Sequence, residues 1–321
     1  MDIENKEVVV LGGAGFIGST LVDELLTTNV KNITVYDNFT RGSTENLENS
    51  MNDSRVDVVD GDIKDIPALN DAIKGKDIVF HFAALWLLHC FEYPRDAFDV
   101  NIAGTFNVLE ACVNNQTPKL VYSSSASVYG DALETPMTES HPFNNENFYG
   151  ASKIAGEQMC RAFSSRYGLD YVGLRYMNVY GPRQDYEGAY TAVMMKMLDK
   201  IDEGQPLVVY GDGSQTYDFV YVEDVARANL CAATSNATDA FFNVGTGIGT
   251  SIKELAEVLS DLTESSGGIK YEPEGQTFVT NRIGSTEAAS RELGFNYKTE
   301  LTQGLKNLVS WRNYDKIRKG S

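Results

Sequence analysis

The chain has 321 residues, 42% of them hydrophobic, and 27 Lys and Arg against 45 Asp and Glu give it a formal charge of -18. That length and apolar content suffice for one large domain, or a principal domain with a smaller companion, and exclude a disordered tail. So acidic a surface repels nucleic acid and anionic membranes, and neither is expected as a partner.

No apolar run reaches the roughly eighteen residues of a membrane span. The polar start Met1–Lys6 leads straight into Val8-Val9-Val10 rather than into a signal peptide, so a cytoplasmic location is expected. Cys90, Cys112, Cys160 and Cys231 are widely spaced, with no Cys-x-x-Cys or Cys/His cluster; they read as small core residues, and neither a disulfide nor a metal site is expected.

In chain order, short β-branched runs alternate with longer amphipathic stretches, the pattern of βαβ units and a parallel sheet. Strands are predicted at 7–11, 32–36, 56–59, 78–82, 119–123 and 170–175, six in all, enough for a doubly wound sheet. After Gly181-Pro182 the alternation weakens, and 207–210, 219–222 and 241–244 read as separate short strands among helices. The expected fold is α/β, a doubly wound parallel-sheet Rossmann domain with a smaller C-terminal α/β substrate-binding lobe. Residues 1–175 would form the first, with 219–246 returning to it, and 176–218 and 247–321 the second.

Gly12, Gly15 and Gly18 follow the first strand and open a stretch in which Phe16, Ile17, Leu21 and Leu25 recur at helical spacing. Glycines there let the backbone turn tightly against a pyrophosphate, while the helix N-terminus offers free N–H groups and partial positive charge. Asp37 ends the second strand about twenty residues on, where a carboxylate accepts from the ribose hydroxyls and repels a 2′-phosphate. NAD is therefore expected rather than NADP, although Arg41 nearby, read as a solvated loop residue, leaves some room for the phosphorylated form. Asp62 and Ile63, after the third strand, read equally as adenine contacts or as a strand-ending turn.

Tyr149 and Lys153 stand four apart in Tyr-Gly-Ala-Ser-Lys, at the start of a helix predicted over 149–167, and so share a face. Unit charges about 4 Å apart at an effective dielectric near 20 interact by roughly 4 kcal/mol, enough to lower a tyrosine pKa by up to about three units. The phenol could then serve as a base near neutrality. The serine-rich run Ser123–Gly130, at the C-terminal end of the fifth strand, lies where open α/β sheets place ligands.

These motifs, with Tyr36-Asp37-Asn38, Gly61-Asp62-Ile63, His81-Phe82-Ala83-Ala84, Asn101–Thr105, Leu174–Gln184 and Asp218–Val225, cover nearly the whole chain. Together they resemble the extended short-chain dehydrogenases/reductases of the nucleotide-sugar epimerase/dehydratase family, and most of all UDP-glucose 4-epimerases. The resemblance implies that Tyr149 is the acid/base at a sugar hydroxyl, that Lys153 holds the nicotinamide ribose, and that Ser125 hydrogen-bonds the same hydroxyl. It places Asn38, Ala83, Ala84, Asn101, Ser123 and Tyr176 at the cofactor and Asn178 at the substrate phosphate. It also implies a homodimer through the helices near 101–112 and 149–167.

The family's 4,6-dehydratases carry an Asp-Glu pair after the Ser/Thr, and its decarboxylases a Glu in that segment. Here those positions are Ala126 and Ser127, neither of which acts as a strong acid or base at neutral pH. By subtraction, the resemblance implies NAD-dependent C4 epimerisation of a nucleotide-diphosphate sugar through a transient 4-keto intermediate. A dehydratase, decarboxylase or dehydrogenase of the same fold, or a uronate-specific epimerase, is the alternative.

Two departures matter. Relatives usually read Thr-Arg-Asp where this chain has Thr216-Tyr217-Asp218, and 272–281 lacks the second arginine usual near there. Each lost charged hydrogen bond costs about 1.5–3 kcal/mol, so compensation or a changed substrate is required. Arg183 and Arg282 are the candidates. Arg282 falls near the position that limits sugar size, where a cation could instead meet a hexuronic carboxylate, or it pairs with surface acids. The apolar run Leu85–Cys90 also departs from the usual polar sequence, as an apolar wall beside the substrate or as core, with His89 a hydrogen-bonded structural residue.

Overall fold

A computed structural model describes residues 3–187, 192–273 and 280–320; most of the arginine-free stretch, 274–279, lies outside the described residues. The strands are β1 (Glu7–Leu11), β2 (Asn32–Asp37), β3 (Val56–Asp60), β4 (Ile78–His81), β5 (Lys119–Ser125), β6 (Tyr171–Tyr176), β7 (Asn178–Tyr180), β8 (Leu207–Tyr210), β9 (Thr216–Tyr217), β10 (Phe219–Tyr221), β11 (Ala240–Val244), β12 (Thr250–Ser251), β13 (Ile269–Glu272) and β14 (Asn281–Arg282).

Seven of them form one sheet in the order β11-β6-β5-β4-β1-β2-β3, every pair parallel. The order reverses between β1 and β4, and at such a switch point the crevice beyond the strand C-termini takes a ligand. Val8 and Val10 pack into one apolar cluster and Val9 and Leu11 into another, so alternate residues of a continuous apolar strand bury both faces. The seventh strand is the one predicted at 241–244 in the segment expected to return to the first domain: β11 pairs with β6 from Ala240↔Val172 to Val244↔Tyr176. The helix Val222–Thr234 before it packs on the first helix, Phe16–Leu26, and brings the chain back to the sheet edge.

A third cluster holds Tyr180, Met194, Met195, Leu207, Val209, Phe219, Leu255, Leu259, Leu305 and Leu308. Around it lie the short ladders β13-β8, β12-β9-β14 and β10-β7, with the helices Val193–Asp202, Ile252–Thr263 and Leu301–Lys319. Ser251 opens the second of these helices with a capping box to Glu254, satisfying two otherwise orphaned donors. No helix among the described residues is long and apolar enough to cross a membrane.

His81, at the end of β4, is buried, with Nε2 3.0 Å from Thr105 Oγ1. Burial first, and the nearby Lys153 charge second, bring its pKa down to about 3. Between an unfolded value of about 6.5 and the folded value the unfolded chain binds more protons, so stability falls as pH drops through that window, by up to about 1.4 kcal/mol per unit. The urea midpoint should fall from pH 6.5 towards pH 3, and His81→Asn should flatten that slope. An unchanged slope in the variant would assign the acid sensitivity elsewhere.

Candidate active site

The C-terminal ends of β1 to β6, or the loops that leave them, all contribute to one cavity of about 690 Å³, within the range of cofactor sites. Gly12, Gly15, Phe16, Ile17, Gly18, Asp37, Asn38, Asp62, Ile63, Ala83, Ala84, Ser123, Tyr149, Lys153, Tyr176 and Arg183 all border it. Gly12 has φ +79°, and a Cβ on it would stand 2.7 Å from the Ala83 nitrogen; one on Gly18 would stand 2.2 Å from the Gly12 oxygen. Only glycine permits that turn and that helix-to-loop approach. Gly15 starts the first helix without a side-chain cap, which leaves the N–H groups of its first turn available to a phosphate.

The Asp37 carboxylate accepts from the Ala14 and Phe39 N–H groups, both at 2.9 Å, so the glycine loop itself aims it. Burial raises its pKa, against those two donors. Asn38 Nδ2 donates to Asp62 Oδ2 at 3.1 Å and Tyr36 Oη to the Asp62 carbonyl at 3.0 Å, which ties the ends of β2 and β3 into one rim. An acidic ribose receptor beside a glycine-lined helix start is a donor and acceptor set that fits NAD.

On the opposite wall, sequence reasoning missed the contacts of Arg41. Arg41 is not simply solvated: its Cζ lies 4.1 Å from the Trp86 ring centroid and its Nη2 3.6 Å from Asp185 Oδ2. Three loops thereby meet across the cavity. The apolar Leu85–Cys90 run was the available signal, since Trp86 and His89 line the cavity while Cys90 is buried. His89 Nε2 lies 2.9 Å from Asp96 Oδ2, an engaged rather than a free imidazole.

The helix Phe148–Tyr167 is capped by Asn147, whose side chain accepts from the Gly150 N–H at 2.8 Å. Tyr149, Lys153 and Glu157 recur every four residues and form a polar stripe that meets the three serines ending β5. Ser125 hydrogen-bonds Tyr149. Lys153 Nζ donates to the Ser123 carbonyl at 2.8 Å, and Ser124 Oγ donates to Glu157 at 2.6 Å. Glu157 in turn takes a two-pronged contact from Arg175 on β6, at 2.8 and 2.7 Å.

Three sequence expectations need correction. The Lys153 charge is not what tunes Tyr149 among the protein's own groups. Burial pushes Tyr149 up to about 12, against the Ser125 hydrogen bond and the charges of Arg282 and Arg41, and burial brings Lys153 down to about 8. In a desolvated crevice the penalty on phenolate and ammonium exceeds their attraction. Asn101 does not border the cavity: its amide is engaged by the Leu85 N–H and carbonyl and by Ser152 Oγ, so it braces the Trp86 loop against the catalytic helix. Arg183 borders the cavity but is held through Nη2 by Asp23 on the first helix, at 2.5 Å, while its Nη1 is buried without a hydrogen-bond partner among the described residues. Ser125, Asn178 and Arg282 lie outside the cavity wall, and Asn178 Nδ2 and Arg282 Nε are buried without a hydrogen-bond partner among the described residues.

The family model described as NAD dependent epimerase/dehydratase matches residues 8–245. The chain belongs to that family. Its members use NAD, and a Thermus thermophilus UDP-glucose 4-epimerase solved in complex with NAD superposes with a TM-score of 0.85 at 30% identity, over 96% of this chain and 99% of that one. A UDP-N-acetylglucosamine 4-epimerase of Methanobrevibacter ruminantium, solved with UDP-N-acetylmuramic acid, gives a TM-score of 0.91 at 36% identity, over 97% and 99%. A Methanocaldococcus jannaschii protein provisionally assigned as a UDP-glucose 4-epimerase is 37% identical, over 95% of this chain and 97% of its own. A UDP-N-acetyl-alpha-D-glucosaminuronate decarboxylase of Bacillus cytotoxicus is 30% identical, over 95% and 97%. This family member is an enzyme of the sugar-nucleotide epimerase/dehydratase type.

Proposed function

We propose that the enzyme epimerises a UDP-hexose at C4. The observation that carries this reading is the pairing of a complete Ser125-Tyr149-Lys153 set with a neighbouring Ala126-Ser127 turn that holds no acid or base and is buried. NAD, when bound, supplies the acceptor and then the donor of hydride. Tyr149 takes the proton of the C4 hydroxyl as the C4 hydride leaves, with Ser125 holding the same oxygen. Lys153, fixed by the Ser123 carbonyl, would hold the cofactor ribose. The keto sugar turns and takes hydride on its other face while Tyr149 returns the proton, so atoms and electrons balance with no net oxidation.

In this reading residues 1–175 and 219–246 hold the cofactor and the remainder holds the substrate. The exposed Phe106 and Tyr167, on the two helices expected to pair, support a homodimer; light scattering giving the monomer mass of 35.4 kDa would remove it. Incubation with UDP-glucose should yield UDP-galactose and the reverse, without the absorbance of reduced cofactor building up. Stoichiometric reduced cofactor, or a product lacking water or carbon dioxide, would favour an oxidoreductase or lyase instead.

A further inference from the structure

We infer that Arg282 is the receptor for the substrate pyrophosphate, contributed from β14 to the space that the side chain of Tyr217 shares. The inference rests on the nucleotide-diphosphate substrate class proposed above and is independent of which reaction follows.

A pyrophosphate brings negative charge into a chain of formal charge -18, and it needs a cation that is free to meet it. Most basic groups near the cleft are engaged. Lys153 donates to the Ser123 carbonyl, Arg175 pairs with Glu157, Arg41 stacks on Trp86 beside Asp185, and Arg183 pairs with Asp23 through Nη2, although its Nη1 is buried without a partner among the described residues. The segments 188–191 and 274–279, outside the described residues, contain no lysine or arginine.

Arg282 stands apart. It makes no ion pair among the described residues, and its Nε is buried with no hydrogen-bond partner. Asp131, a carboxylate close enough to act on it, is already occupied by Thr280 Oγ1 and by the N–H groups of Thr280 and Asn281. A half-buried guanidinium with an unpartnered Nε shut off from water is costly unless an anion reaches it, so the fold holds a cation in waiting.

The ladder shows where. β14 runs parallel to β9 with Arg282 in register opposite Tyr217, so the two side chains leave on the same side about one strand spacing, roughly 4.8 Å, apart. Burial lowers the pKa of Arg282 and raises that of Tyr217, and each also feels the other's charge. On the other side, the Asn178 N–H donates to the Asp218 carbonyl at 2.9 Å and the Asp218 N–H to the Arg282 carbonyl at 2.8 Å. Asn178 and Arg282 are thus linked through the Asp218 backbone, and Asn178 Nδ2, like Arg282 Nε, is buried with no hydrogen-bond partner among the described residues.

Calorimetric binding of UDP, which carries the diphosphate and no sugar, to the purified NAD-loaded protein tests this. Arg282→Ala and the neutral, similarly shaped Arg282→Gln should each weaken UDP about 10- to 100-fold, the range of a lost charged hydrogen bond, and leave uridine unchanged. The exchange variant Tyr217→Arg/Arg282→Tyr should recover most of the loss, because the cation returns to the same space. UDP affinity untouched in both single variants would overturn the inference, as would a defect confined to UDP-glucuronate, which would assign Arg282 to a sugar carboxylate. A wild-type protein that binds NAD but no UDP would instead sink the nucleotide-sugar reading itself.

Discussion

Tyr149→Phe should lower kcat by about 10³-fold or more while the protein keeps its NAD, because the ring still fills its place beside Ser125 and only the transferable proton is lost. Comparing single-turnover rates and cofactor content of the purified variant with those of the wild type checks both halves. Activity within about tenfold of wild type would mean that another group takes the C4 proton. Since the protein's own groups hold this phenol high, the kcat/KM profile should climb with pH through neutrality rather than level off below it. That limb should move further up in Arg282→Gln, which removes one of the charges favouring the phenolate.

Breaking the ion pair behind the catalytic helix should have the largest effect on stability. Glu157 and Arg175 are almost wholly buried, and their network takes in Ser124, the Tyr129 hydroxyl at 2.8 Å and the Glu139 carbonyl at 2.9 Å. Burial works against the Arg175 charge, but the bond to Glu157 and its negative charge raise the pKa of the guanidinium. Removing one partner strands the other in a dry interior, so Arg175→Met or Glu157→Gln should cost about 3–5 kcal/mol in urea unfolding. The double variant Glu157→Leu/Arg175→Met should recover much of that, since two apolar side chains leave no charge unpaired. A single-variant loss below about 1 kcal/mol would show that water reaches the pair and screens it.

Local patterns explain what the sequence revealed. Glycines at 12, 15 and 18 between a strand and a helix, an acid at 37 and a Tyr-Lys pair one turn apart each state their geometry within a few residues, and all of them border one cavity. What stayed hidden depends on residues distant in the chain. Arg183 meets Asp23 across 160 positions, and Arg41 meets Trp86 and Asp185 only once three loops converge. Which strand Phe241–Val244 joins is hidden because its partner, β6, lies about seventy residues earlier and the pairing leaves no periodic mark. The electrostatics were hidden for a related reason: spacing shows that Tyr149 and Lys153 are close, while the burial that opposes both charges is a property of the closed crevice.

The most direct test of the central claim follows the hydrogen at C4. UDP-glucose carrying deuterium at C4, incubated with the enzyme in ordinary water, should yield UDP-galactose that keeps the label at C4, because hydride leaves and returns within one closed site. Washout of the label into solvent would contradict transfer through bound NAD and the proton role given to Tyr149.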